Sequence, residues 1–66
     1  MTLQQLRYFL ATTRHGSFAG AAEELLLKQP SVAEQVRRLE AELGVPLFAR
    51  KRRRLILTEA GTALRP

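Results

Sequence analysis

Start and stop signals for helices recur so closely along this chain that any helices it forms must be short and joined by tight turns. Thr2 and Gln5 have the spacing of a capping box, in which hydroxyl and amide satisfy otherwise orphaned backbone donors. Gly16 supplies the left-handed residue that ends a helix, and Ser17 is a good cap for the next. Pro30 suits a first helical turn, where its missing N–H costs nothing. Gly44, with Pro46 behind it, stops that third helix. Thr58 followed by Glu59 opens a fourth, which includes Ala60, Ala63 and Leu64 before Pro66.

Between these marks the apolar residues recur at helical spacing. Leu3, Leu6, Phe9 and Leu10 form one stripe, Phe18, Ala21, Ala22, Leu25 and Leu26 a second, and Val32, Val36, Leu39 and Leu43 a third. The small pair Ala21 and Ala22 lets another helix approach closely. The short break at Leu27 and Lys28, followed by a proline-launched helix, is the connectivity of a helix-turn-helix. Past Pro46 the period changes. Apolar Leu47 and Phe48, a basic run to Arg54, and Leu55, Ile56 and Leu57 predict a two-stranded ribbon with a charged tip. The fold class is therefore mainly α.

Sixty-six residues allow a single small core. The net charge is +5, and its distribution is uneven. Up to Ala49 the cations Arg7, Arg14, Lys28, Arg37 and Arg38 are matched by Glu23, Glu24, Glu34, Glu40 and Glu42, so the whole excess lies from Arg50 onward. Cysteine is absent, which excludes a disulfide framework, a thiolate nucleophile and a cysteine zinc site. Every acid is Glu and His15 is the sole imidazole, so no catalytic constellation, metal site or cofactor is expected. His15 beside Gly16 reads as a helix C-terminal cation, and Tyr8, Phe9, Phe18 and Phe48 as core and rim. Ser31 has no base near it and is no nucleophile. No apolar run approaches the roughly 20 residues of a membrane span, and Met1 to Leu10 lacks the pattern of a signal peptide, so a cytoplasmic location is expected.

On a helical wheel the third helix turns Val32, Val36, Leu39 and Leu43 inward and Pro30, Ala33, Glu34 and Arg37 outward. Its N-terminus offers free N–H groups and a positive dipole end suited to phosphate. The amide of Gln29 can pair bidentately with adenine in a major groove. Five consecutive cations, Arg50 to Arg54, repel one another and gain from a polyanion, and the apolar residues on both sides tether them in place. Two readings follow: a double-stranded DNA-binding module, or a small helical interaction protein whose basic hairpin docks an acidic protein or an anionic membrane surface. RNA is the weaker nucleic acid here, since no aromatic platform or glycine-rich clamp is present.

Ser17, Ala21-Ala22, Leu25, Gln29-Pro30-Ser31-Val32, Gln35-Val36, Leu39-Glu40, Leu43-Gly44, Leu47-Phe48, Arg50, Arg53, Leu57-Thr58 and Ala60-Gly61 together resemble the winged helix-turn-helix of LysR-type transcriptional regulators. The resemblance runs from about Leu3 to Leu64. It implies a three-helix winged helix-turn-helix over residues 1–57, with a short two-stranded β wing, and the truncated start of a dimerisation linker helix over 58–66. It further implies that Gln29, Pro30, Ser31, Ala33 and Glu34 approach bases, with Arg53 and its neighbours on the backbone. The full DNA-binding set is Ser17, Lys28, Gln29, Pro30, Ser31, Ala33, Glu34, Arg37, Arg50, Arg52, Arg53 and Arg54. Double-stranded DNA and a homodimer, or a tetramer in a full-length regulator, are the implied partners; no membrane partner is implied, and a small-molecule effector only through a domain absent from this chain. Three positions depart from the family's pattern. Lys28 stands where Ser or Thr is usual, Ala33 where Ser is usual, and Glu34 where a cation is frequent.

Overall fold

The computed structural model describes residues 1–65; Pro66, the last residue expected in the linker segment, lies outside them. The elements are α1 (Leu3–His15), α2 (Phe18–Leu25), α3 (Gln29–Leu43), β1 (Phe48–Lys51), β2 (Arg54–Leu57) and α4 (Glu59–Leu64). Each boundary has a local cause. Thr2 Oγ1 accepts from the Gln5 amide at 3.0 Å while Gln5 Oε1 accepts from the Thr2 amide at 3.1 Å, which is the expected capping box. Gly16 closes α1 at φ 68°, and Ser17 Oγ accepts from the Gly20 amide at 3.0 Å to begin α2. Three residues, Leu26 to Lys28, separate α2 from α3. Lys28 provides no side-chain cap, and Pro30 sits in the first turn of α3. Gly44 ends α3 at φ 73°.

The C-terminal third is fastened to the helices by specific polar contacts. Glu40 reaches off α3 and accepts from the amides of Leu47, at 2.7 Å, and Phe48, at 3.3 Å. β1 and β2 then pair antiparallel, with Phe48 opposite Leu57 and Lys51 opposite Arg54. The two-residue tip places Arg52 at φ 60°, a left-handed conformation carried by an L side chain. The Leu55 amide donates to the Gly16 carbonyl at 2.8 Å, which holds the hairpin against the end of α1. Thr58 starts α4, accepting from Gly61 N–H at 3.1 Å and donating its hydroxyl to the Pro46 carbonyl at 2.7 Å.

Two apolar clusters fill the interior. One gathers Ala11, Phe18, Ala21, Ala22, Val32, Ala33, Val36 and Leu55; the other Phe9, Leu39 and Leu47, with Leu6, Leu10, Leu57, Ala60 and Leu64 along its edge. Phe48 joins them, its ring 5.4 Å from that of Phe9 and 6.4 Å, edge-on, from that of Phe18. Each large side chain buried this way contributes about 1.5–3 kcal/mol. Ala21 and Ala22 are both buried, and their small size lets α3 pack closely on α2.

The apolar stripes are shorter than their periodicity. Leu3, Leu26 and Leu43 each extend a stripe by one residue, yet Leu3 is 75% exposed, Leu26 91% and Leu43 41%. Leu3 and Leu43 are the first and last residues of their helices, beyond the reach of the packing partner. Leu26 takes φ 58° and serves as the left-handed cap of α2, which swings its side chain off the helical face. Gln5 and Thr12 are the polar residues in the buried face of α1, and Gln5 links it to another helix. Its carbonyl oxygen completes the capping box and its amide nitrogen donates to Gln35 at 3.4 Å, tying α1 to α3.

Candidate nucleic-acid interface

The surface with the expected site residues is built from α3, the start of α2 and the hairpin. Gln29, Pro30, Ser31, Glu34 and Arg37 are all exposed on α3. Gln29, Pro30, Ala33 and Arg37 of α3 line a shallow concavity together with Phe18 of α2 and Arg50 of β1. The strand register explains the position of Arg50. It lies opposite buried Leu55, on the face of the ribbon turned toward the helices, whereas Lys51 and Ile56 fall on the other face. Arg37 is set over the Phe18 ring, its guanidinium carbon 6.0 Å from the centroid. Cations from two separate elements therefore line the same concavity as Gln29.

Ala33 corrects the helical wheel. The wheel turns it outward, but it is 5% exposed and belongs to the core cluster with Val32 and Val36. The reason is that α2 and α3 cross beside it, so the buried arc of α3 is wider than its large apolar residues indicate. Its methyl reaches the surface only as the floor of the concavity. Ser17 is half-buried and its oxygen is occupied in capping α2, which leaves the hydroxyl proton free to donate. Phe18 is core, as its spacing predicts, and is also a wall of the concavity; apolar spacing alone does not distinguish the two.

At the hairpin, Lys51, Arg52, Arg53 and Arg54 surround the tip together with Ile56. Arg54 differs from its neighbours, since its guanidinium lies against Gly16 so closely that a Cβ there would meet Nη2 at 2.8 Å. It covers the C-terminal end of α1, the negative pole of that helix.

Four of the acids have partners for their side chains, none of them a cation of the hairpin. Glu24 pairs with both Arg14 and His15, the latter at 2.9 Å. His15 stands in the last turn of α1, as its position beside Gly16 predicts, and α2 also brings a carboxylate to it. The Arg14 guanidinium, and after it the His15 imidazole, hydrogen-bond Glu24 and hold its carboxyl below the usual carboxylate range. Glu42 pairs with the N-terminal ammonium and Glu34 with Arg38. Among the described residues no acid pairs with any cation from Arg50 to Arg54. No group of three metal-ligating side chains occurs among them, and no helix is long and apolar enough to cross a membrane.

Residues 3–62 match the family described as bacterial regulatory helix-turn-helix protein, lysR family. A RuBisCO operon transcriptional regulator of Allochromatium vinosum is 54% identical over 61 residues, covering 92% of this chain and 20% of that protein. The regulator CfxR of Cupriavidus necator is 50% identical over 64 residues, covering 97% of the chain and 20% of the relative. This chain thus spans about a fifth of the length of these relatives. Among solved structures, the CbnR DNA-binding domain in complex with DNA is similar at a TM-score of 0.90 and 44% identity, covering 96% of this chain and 72% of that one. The BenM DNA-binding domain in complex with catB site 1 DNA is similar at 0.92 and 39% identity, covering 97% and 71%.

Proposed function

The chain belongs to the lysR family of bacterial helix-turn-helix regulators, and on that premise we propose that it is a sequence-selective double-stranded DNA-binding module of a transcriptional regulator. In this reading α3 enters the major groove and the β1–β2 hairpin rests on phosphates or in the adjoining minor groove. One observation carries it: five consecutive cations, with no acidic partner among the described residues, form a hairpin whose Arg50 lines one concavity with Gln29, Pro30 and Arg37 of α3. Self-repulsion makes such a cluster costly in isolation, and a polyanion that releases counterions on contact relieves it. That domains of the same shape from CbnR and BenM occur in complexes with DNA supports the assignment.

Each residue has a role in this arrangement. Gln29, Pro30, Ser31 and Glu34 approach base edges, with the Ala33 methyl beneath them. Ser17 and Lys28 meet phosphates at either side of the turn, the lysine as a point charge. Arg37 and Arg50 converge from helix and strand, and Arg52 and Arg53 reach furthest. Arg54 contributes its charge mainly from above α1. Residues 1–57 form the reading unit and 58–66 the start of a linker helix. A homodimer, or a tetramer in a full-length regulator, places two α3 helices about 34 Å apart or a multiple of it, in successive major-groove turns. Effector control belongs to a separate domain, and the site of action is the cytoplasm. An adaptor docking an acidic protein or a membrane finds no support among the similar proteins, which are named as regulators.

A salt titration tests the hairpin assignment. Replacing Arg52 and Arg53 with Ala weakens binding to every duplex and flattens the dependence of log K on log salt by about 0.9 for each phosphate no longer neutralised. An unchanged slope removes the hairpin from the interface.

A further inference from the structure

Glu34 is placed unlike the other paired acids. Glu24 joins α2 to α1, Glu40 joins α3 to β1, and Glu42 holds the chain's N-terminus. Glu34 ties no two elements together. Its Oε1 accepts from Arg38 Nη2 at 3.2 Å within the same helix, and the two side chains are 61% and 63% exposed. An open pair one turn apart on a helix adds little to stability.

A carboxylate here is also a liability for a surface that meets phosphate, and Arg38 offsets that liability. What the carboxylate supplies is acceptor-only chemistry. In the major groove guanine presents acceptors at O6 and N7, thymine an acceptor at O4, and adenine its N6 donor next to the N7 acceptor. Cytosine presents its N4 amino group as a donor with no acceptor beside it. Glu34 lies in the N-terminal half of α3, the part of a recognition helix that contacts base edges.

Resting on the assignment of α3 to the major groove, we infer that Glu34 determines specificity by reading cytosine and that Arg38 is a positioning residue that orients and charge-balances it. The discrimination works chiefly by rejection, because the other bases turn an acceptor toward the carboxylate.

Selection of bound sequences from a random duplex pool tests this, with the chain as it stands and with Glu34→Ala, Glu34→Gln, Arg38→Ala and Arg38→Lys. All four substitutions are at exposed sites, and thermal unfolding verifies that each variant is folded. The expected wild-type motif has a cytosine column, and replacing that cytosine with thymine, or with N4-methylcytosine, which keeps the pairing N–H and places its methyl in the groove, weakens binding about tenfold. Glu34→Ala flattens that column alone and Glu34→Gln shifts it toward adenine. Arg38→Ala broadens the same column and lowers affinity generally, and Arg38→Lys restores both. A column that keeps its cytosine in Glu34→Ala, or tolerates the N4-methylated base, overturns the inference. A motif with no cytosine column overturns it while leaving the DNA-reading assignment intact; a wild-type pool with no motif at all overturns both.

Discussion

Gly61 fixes where α4 can lie, and its replacement by alanine gives an effect whose sign is diagnostic. A Cβ at this buried position would stand 2.8 Å from Leu57 Cδ2 and 3.2 Å from the Leu47 carbonyl carbon, and nearer still to that carbonyl's oxygen. The carbonyl cannot withdraw freely, since Leu47 is 1% exposed and the same oxygen accepts from the Thr58 amide at 3.0 Å. Overpacking of this kind costs about 1–3 kcal/mol, and weakening the Thr58 bond adds about 0.5–1.5 kcal/mol. Alanine's better helix propensity returns about 1 kcal/mol. Gly61→Ala is therefore destabilising by roughly 0.5–3.5 kcal/mol, which for a domain of this size lowers Tm by about 4–8 °C per kcal/mol. Thermal unfolding followed by far-UV circular dichroism measures it. At an exposed helical glycine the same substitution raises Tm, so an unchanged or higher value would show that α4 is not seated against Leu47.

Two further outcomes follow from the site and from the α1–α2 junction. Gln29→Ala is expected to cost about 1–3 kcal/mol on the preferred duplex and much less on a scrambled one; equal losses would make Gln29 a positioning contact only. Glu24 titrates lower in the folded chain than in the unfolded one, so between those two values the unfolded state binds more protons and stability rises with pH. Glu24→Gln is accordingly less stable than wild type above the usual carboxylate range, with the difference disappearing as pH falls through the lowered value. A difference in Tm that stays constant down into strong acid would refute the Glu24 pairing.

The boundaries of the fold are legible in the sequence because they are local. Thr2, Gly16, Ser17, Gly44 and Thr58 do what their side chains dictate within a turn of their own position, and the structure places all five as caps. The charged ribbon is legible for a related reason, since its basic run is contiguous. What cannot be read depends on residues far apart in the chain. Glu40 gives no sign in sequence that it will bind the Leu47 and Phe48 amides, nor Arg54 that it will lie over Gly16. Leu26 fits its stripe by number and leaves it by backbone conformation. The wheel misplaces Ala33 because a small residue weighs little in a hydrophobic pattern, whereas burial follows how near the neighbouring helix comes. At the site, residue types on α3 are recoverable from the wheel, but the meeting of Arg37, Phe18 and Arg50 around one concavity requires the packing of three elements.

The hairpin tip shows how stability and function pull apart at a single position. Arg52 holds a left-handed backbone conformation that glycine would adopt freely and that costs other L residues about 1–2 kcal/mol. A chain this short has a total margin of only about 3–10 kcal/mol. Glycine at this turn would be favoured by the fold itself. In the reading proposed above, Arg52→Gly would therefore yield a more stable chain that holds DNA less well, the gain and the loss coming from one side chain.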